Sequence, residues 1–230
     1  YFLKKQDPIY SSIYSCLKEY FVHSAIDDIN FKKFLKKFIS SSIFLDHQTE
    51  NGGTKIIDIF DRHNDTLINL ISSRVSCRDF VNKSIPKKVF KYVEAYQNHI
   101  PTVCNRQPCS FLVIPKDMQK KILDLQKGGI GFAEHNPTII VILCDLRFFA
   151  SGNERNQCFF EMGTFAYNLS LLFQNQGVSS CYLNWCTTPA VDLKAKKLLR
   201  IGNNFKIGTL MAIGYRSKKL KTAYSSRSIK

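Results

Sequence analysis

At 230 residues, with 44% hydrophobic and 13% aromatic content, the chain suits one domain or one domain with an appendage; that composition excludes wholesale disorder. The longest apolar run, Thr138 to Cys144, is far shorter than a membrane-spanning helix and fits a buried strand. The net charge of +15 is uneven: residues 1–60 hold eight Lys/Arg against seven Asp/Glu, the remainder 25 against 11, a balance suited to polyanions or phosphorylated small molecules.

In chain order, Ile9, Ile13, Leu17 and Phe21 recur at four-residue steps and predict an amphipathic helix. Phe31, Phe34, Leu35 and Phe38 repeat the stripe, with Lys32, Lys33, Lys36 and Lys37 turned away. That second helix packs on its own domain with its lysines in water; an anionic membrane surface is the alternative. Residues 46–54 read as a linker. Residues 1–60 are therefore expected to be a helical extension, and 61–230 the main domain. The opening residues lack the basic-then-apolar build of a secretory signal; the expectation of a cytoplasmic protein comes from the cysteines.

A helix is expected from Asp65 through Ser73, with Leu67, Leu70 and Ile71 inward. It meets Arg74-Val75-Ser76-Cys77-Arg78-Asp79-Phe80. Ser84 before Ile85-Pro86 predicts a capped helix continued by Val89, Val93 and Tyr96. Next comes Pro101-Thr102-Val103-Cys104-Asn105-Arg106-Gln107-Pro108. Pro108 keeps Gln107 extended or in a turn. Two carboxamides on a stiff loop at a strand's entrance either brace each other or recognise the edge of a heterocycle with alternating N–H and C=O groups.

A strand over 110–114 and a short helix stopping near Gly128-Gly129 follow. Gly128-Gly129-Ile130-Gly131 follows a helix and lacks the spacing of a dinucleotide fingerprint. Thr138 to Cys144 is a buried strand. Glu154 to Gln176 is a long helix, apolar nearly all round, which belongs at a domain centre or a subunit interface. Gly177 ends it, and Val178 to Leu183 forms a strand. Asn184 and the only Trp, Trp185, come next. Pro189 to Arg200 is a basic helix, and Ile207 to Ile213 the last strand. Strands and helices alternate irregularly, so an α+β fold is expected. No helix-turn-helix, zinc-finger or RNA-binding signature accompanies the charge, so nucleic acid is not the expected partner.

The eight cysteines contain no C-x-x-C pair, so free thiols in a reducing compartment, and no metal, are expected. The five histidines have no mutual spacing that makes a site.

Four separated segments resemble the nitroreductase-like flavoproteins. Arg74 to Phe80 is similar to their R-x-S-x-R-x-F opening, and Pro101-Thr102 with Asn105-Arg106-Gln107-Pro108 to their P-S-x-x-N-x-Q-P-W loop. Glu161-Met162-Gly163 through Cys181 resembles their core helix and following strand. Gly214-Tyr215 and Ser225-Ser226-Arg227 resemble the closing segment. Glu154-Arg155-Asn156-Gln157 with Leu183-Asn184-Trp185 is most similar to a branch often encoded beside polysaccharide-synthesis genes.

The resemblance implies an α+β fold with a mainly antiparallel central sheet flanked by helices, a homodimer, FMN at the subunit interface, and NADH or NADPH as reductant in a ping-pong cycle ending on a small-molecule acceptor. It assigns Arg74, Val75, Ser76, Ser225 and Arg227 to the FMN phosphate end and Arg78 to the N1–O2 edge. Asn105 and Gln107 take the pyrimidine edge. Pro101 and Thr102 line the ring, and the backbone of Leu183 and Asn184 approaches N5. Hydride chemistry belongs to the cofactor, so no side-chain acid or base is required. Thr102 keeps the hydroxyl of the usual Ser. Cys109 replaces a Trp and removes an aromatic wall, and Glu161 stands where the branch often has Asp. Two rival readings need no turnover: a flavin-retaining scaffold in a polysaccharide or membrane assembly, and a polyanion binder without flavin.

Overall fold

Strand β3 (Thr138–Asp145) is an inner strand of a four-stranded sheet, and seven of its eight side chains are buried. A computed structural model describes residues 67–126, 137–223 and 225, the backbone of 54–57, and the isolated positions 16, 30, 33 and 37. The chain divides into two units, Tyr1–Asp58 with Lys219–Lys230, and Ile59–Lys218.

The second unit holds a four-stranded sheet of β2 (Cys109–Val113), β3, β5 (Phe205–Gly214) and β4 (Ser179–Asn184), in the order β2-β3-β5-β4. Every pairing is antiparallel, with Cys109 opposite Cys144, Thr138 opposite Ile213, and Ser180 opposite Ile213. Helices α1 (Leu67–Ser73), α2 (Lys87–Tyr96), α3 (Lys116–Gln126), α4 (Gln157–Asn175) and α5 (Pro189–Leu199) flank it. This is the expected α+β arrangement.

Helix α4 lies across one sheet face. Its Phe165, Leu169 and Phe173 are fully buried in one cluster with Ile140, Ile142, Met211 and Ile213, joined by Val89 and Val93 of α2. Phe173 meets Phe90 and Phe111 edge-on, at 6.1 and 6.4 Å between centroids, a geometry that places ring edges on ring faces. The alternate sheet positions Ile139, Val141, Leu210 and Ala212 are also fully buried. That explains the unbroken apolar run of β3: a strand covered on both faces does not alternate. Helices α3 and α5 pack on one another and carry the buried Ile122, Leu123, Ala195 and Leu199.

Three expectations need correction. Leu67 and Ile71 do not point inward but are 64% and 39% exposed, and no residue of α1 is buried. Ser84 does not cap α2, because Pro86 occupies the N-cap position in an extended conformation without a side-chain cap; proline disfavours helix in the residue before it. Ile207–Ile213 is not the last strand. In the first unit β6 (Leu220–Ala223) pairs antiparallel with β1 (Thr54–Ile57), a partnership distant in sequence that no local pattern signals.

The expected helices over 9–21 and 31–38 lie outside the described residues, apart from Cys16, Lys33 and Lys37, which are helical and exposed. The Gly128-Gly129 stop also lies outside them.

Candidate functional site

The chain leaves α1 at Ser73 and runs beside β4. Ser76 bridges Ser180, and the Cys77 N–H donates to the Ser180 carbonyl at 3.0 Å. Phe80 bridges Arg216, and the Val81 N–H donates to the Tyr215 carbonyl at 2.8 Å. Phe80 is buried, and a Cβ at Gly214 would stand 2.8 Å from its Cδ1, so only glycine lets the strand end pass beneath that ring.

This path gathers cations. Burial pushes the Cys181 thiol up, and Arg78 and Arg74 both oppose the push. Burial likewise raises the Cys77 thiol to about 12, against the pull of Arg216. The charges of Arg74 and Arg78 thus reach Cys181 in β4, and that of Arg216 reaches Cys77. Ser180 Oγ, in β4, and Ser217 Oγ, next to Arg216 in the chain, are buried without a hydrogen-bond partner. An unsatisfied buried hydroxyl costs about 1–3 kcal/mol. Guanidiniums and hydroxyls are the kinds of donor from which an anion with several acceptor oxygens, such as a phosphate, accepts.

The amide loop is strained and heavily braced. Cys104, Asn105 and Gln107 have φ of 49°, 53° and 50°, the left-handed region that costs a non-glycine residue roughly 1–2 kcal/mol. The Val103 N–H donates to Glu161 Oε1 at 2.8 Å. Arg106 pairs with Glu154 at 2.8 Å and donates to the Phe148 carbonyl at 3.1 Å. The Gln107 N–H donates to Thr102 Oγ1 at 3.2 Å. Gln107 Nε2 donates to Asn105 Oδ1 at 2.9 Å, and both carboxamides are exposed. The two amides thus do brace each other, on a rim open to solvent.

Glu161 is fully buried in α4, where Oε1 also accepts from Gln157 Nε2 at 3.1 Å. Below the loop the Asp145 N–H donates to the Pro108 carbonyl at 2.9 Å. The Arg147 guanidinium holds the Asp145 carboxyl well below the usual carboxylate range, helped by Asn204.

A third feature lies where β4 stops. Asn184 is opposite Thr209, so Lys206–Gly208 of β5 have no β4 residue beside them. The chain turns away there through Trp185, leaving a cavity of about 430 Å³ lined by Phe159, Trp185, Thr187, Leu193 and Lys206 among others. Trp185 Nε1 donates to Asp192 Oδ1 at 3.0 Å, and Asp192 Oδ2 pairs with Lys196 at 3.0 Å, which fixes the indole as a wall. Lys206 Nζ stands 5.8 Å from the Phe159 ring centroid.

Arg74, Val75, Ser76 and Arg78 are thus brought together with β4, the strand that carries Leu183 and Asn184. Pro101, Thr102, Asn105 and Gln107 form a separate group before β2. Strands β2 and β4 are the two edges of the sheet, three spacings or roughly 14 Å apart. Ser76 sits level with Thr138 of β3 through Ser180 and Ile213, whereas the loop sits level with Cys144, roughly 20 Å further along. The two groups stand at diagonal corners of the sheet. Ser225 is exposed and belongs to the first unit; Arg227 lies outside the described residues. Sequence reading missed Ser180, Arg216 and Ser217, whose only signal was their place beside Cys181 and the Gly214-Tyr215 exit.

Among the described residues no helix is long and apolar enough to cross a membrane, and no group of three or more His, Cys, Asp or Glu is placed to hold a metal.

The Nitroreductase family pattern matches residues 71–131, a segment containing both the arginine motif and the amide loop. The structure is similar to a nitroreductase family protein of Streptococcus pneumoniae, with 20% identity, a TM-score of 0.56, and coverage of 72% of this chain and 95% of that one. It is similar to an FMN-dependent nitroreductase of Clostridium difficile, with 19% identity, a TM-score of 0.55, and coverage of 66% and 88%. A nitroreductase family protein of Clostridium novyi gives 18% identity, a TM-score of 0.55, and coverage of 66% and 86%. No curated protein matches the chain. The nitroreductase resemblance read from the motifs therefore stands, and the fold is the nitroreductase fold.

Proposed function

We propose that this chain is an FMN-dependent oxidoreductase that takes electrons from NADH or NADPH and delivers them to a small-molecule acceptor. The observation that carries the proposal is the basic corner. Arg74 and Arg78 act on the Cys181 thiol in β4, Arg216 acts on Cys77, and Ser180, which Ser76 bridges, has a buried hydroxyl without a partner, residue types that suit a phosphate dianion. FMN, when bound, supplies the two-electron chemistry. Arg78, the exposed guanidinium, favours negative charge on the ring edge. Asn105 and Gln107 exchange their mutual hydrogen bond for the pyrimidine edge, and Pro101 and Thr102 line the ring. The cavity beside Asn184 admits the acceptor between Phe159 and Trp185, with Lys206 available to an anionic group.

The diagonal placement of the basic corner and the amide loop favours a homodimer, in which the loop of one copy meets the basic corner of the other. The surface of α4 supports this. Phe160 and Tyr167 are 62% and 44% exposed on one stripe, and between them a Cβ at Gly163 would meet nothing within 4 Å. The chain's own packing does not require that glycine, whereas a second backbone approaching closely does. Leu67 and Ile68 of α1, which lies against α4, add exposed apolar surface. The eight free thiols support the cytoplasm as the compartment.

The test is an absorbance titration of purified protein with FMN, followed by anaerobic addition of NADH or NADPH. A bound-flavin spectrum that bleaches and recovers on adding an acceptor is expected, with Arg74→Ala weakening FMN binding. No bound flavin at all would end the proposal. Flavin that binds and never bleaches would assign the chain to the flavin-retaining scaffold instead.

A further inference from the structure

Three of the eight cysteines gather in one place that the proposed chemistry does not use. Cys109, Cys144 and Cys158 belong to the same buried cluster, at 8%, 0% and 6% exposure. Cys109 and Cys144 are partners across the β2–β3 ladder. Which rungs of that ladder are hydrogen-bonded follows from its two ends: the Asp145 N–H donates to the Pro108 carbonyl at 2.9 Å, and the Ile114 N–H to the Ile139 carbonyl at 2.8 Å. Hydrogen-bonded rungs alternate. Pro108–Asp145 and Ile114–Ile139 are both of that kind, so Cys109–Cys144 falls on a rung of the other kind.

On a non-hydrogen-bonded rung the Cα atoms approach to about 4.5 Å and the side chains lie closest. That lies within the span of about 4.4–6.8 Å that a disulfide bridges without backbone movement. The sulfurs do adjoin: the Cys144 thiol is the first cause of the upward push on the Cys109 thiol, ahead of burial. Cys158, on α4, also feels Cys144, but it comes from a helix and shares no rung with either.

We propose that Cys109 and Cys144 are a thiol–disulfide pair, oxidised by peroxide to a cross-strand bond that fastens the base of the amide loop to β3. The balance is simple. Peroxide transfers one oxygen to the Cys109 sulfur, giving a sulfenic acid and one water. The Cys144 sulfur then attacks that sulfur, the S–S bond forms, and the hydroxyl leaves as a second water. Two thiols give up two electrons and two protons, and one peroxide becomes two waters. Because the adjoining Cys144 thiol and burial push the Cys109 thiol up, the reaction is slow at neutral pH and quickens as pH rises. Neither flavin nor nicotinamide is needed.

In the test, full-length native protein is treated with N-ethylmaleimide to cap the exposed Cys16, Cys104 and Cys186. It is then exposed to hydrogen peroxide, unfolded and alkylated with iodoacetamide. Of the five buried thiols, two are expected to be lost, and peptide mass spectrometry should find Cys109 linked to Cys144, releasable by dithiothreitol. Cys158→Ser should keep the link. Mapping in the unsubstituted chain suffices even if Cys109→Ser or Cys144→Ser fails to fold. Five alkylated thiols after peroxide, a link to Cys158, or Cys109 carried to sulfinic acid without any link would each overturn the proposal.

Discussion

Replacing Glu161 by Ala tests whether the amide loop is held in its strained form from below. Glu161 Oε1 accepts from the Val103 N–H at 2.8 Å and from Gln157 Nε2 at 3.1 Å, inside a fully buried site. Alanine leaves both donors stranded, at about 1–3 kcal/mol each if no water replaces the oxygen. Against that stands the strain in Cys104, Asn105 and Gln107, all at positive φ, roughly 3 kcal/mol or more in total. With Glu161 gone, the bonds of Arg106 to Glu154 and the Phe148 carbonyl, the Thr102 hydroxyl and the Gln107–Asn105 bond still oppose relaxation.

The expected outcome is a loss of about 2–3 kcal/mol in urea unfolding followed by circular dichroism, with FMN affinity falling at least about tenfold, the equivalent of 1.4 kcal/mol. Glu161→Gln keeps an oxygen toward Val103 and should stay within about 1 kcal/mol of the parent. Two results would refute this reasoning: Glu161→Ala binding FMN as tightly as the parent, or Glu161→Gln proving as damaging as alanine.

Gly214→Ala should lower stability by about 1–3 kcal/mol in the same unfolding assay, because its Cβ would press on buried Phe80 at 2.8 Å; an unchanged midpoint would mean that Phe80 moves freely. Gly163→Ala should stabilise the isolated chain by up to about 1 kcal/mol through helix propensity yet weaken self-association in sedimentation, since Gly163 has open space in one chain; unaltered association would place the interface elsewhere. The Asp145 carboxyl is held below its usual range by Arg147 and Asn204. Its contribution is therefore complete above the unfolded value of about 4 and is lost as pH falls toward the folded one. Urea midpoints measured from neutral to strongly acid pH should drop in that window, and Asp145→Asn should flatten the drop.

Much of the fold could be read from local pattern. The unbroken apolar run of β3 reflects burial on both faces, which any neighbour satisfies, whereas α4 is apolar on its buried face and again at the exposed Phe159, Phe160 and Tyr167. Arg78, Asn105 and Gln107 could be singled out as exposed because charge and carboxamides are poor packing, and all three are exposed. The inward assignment of Leu67 and Ile71 failed because a helical stripe marks an apolar face without saying what covers it. Cys109 looked like the loss of an aromatic wall; only the ladder register made it a partner of Cys144.

The sequence alone determined which residue types were present for the chemistry and most of the strands and helices of the second unit, because propensity and periodicity act over a few neighbours. Tertiary structure decided the rest. It set the Arg74–Arg78 segment and the amides at opposite corners of one sheet, placed Ser76 against Ser180 and Phe80 against Arg216, and put two thiols on one rung. Those are relations between residues tens of positions apart, fixed by strand order and register, and no short window of sequence encodes them.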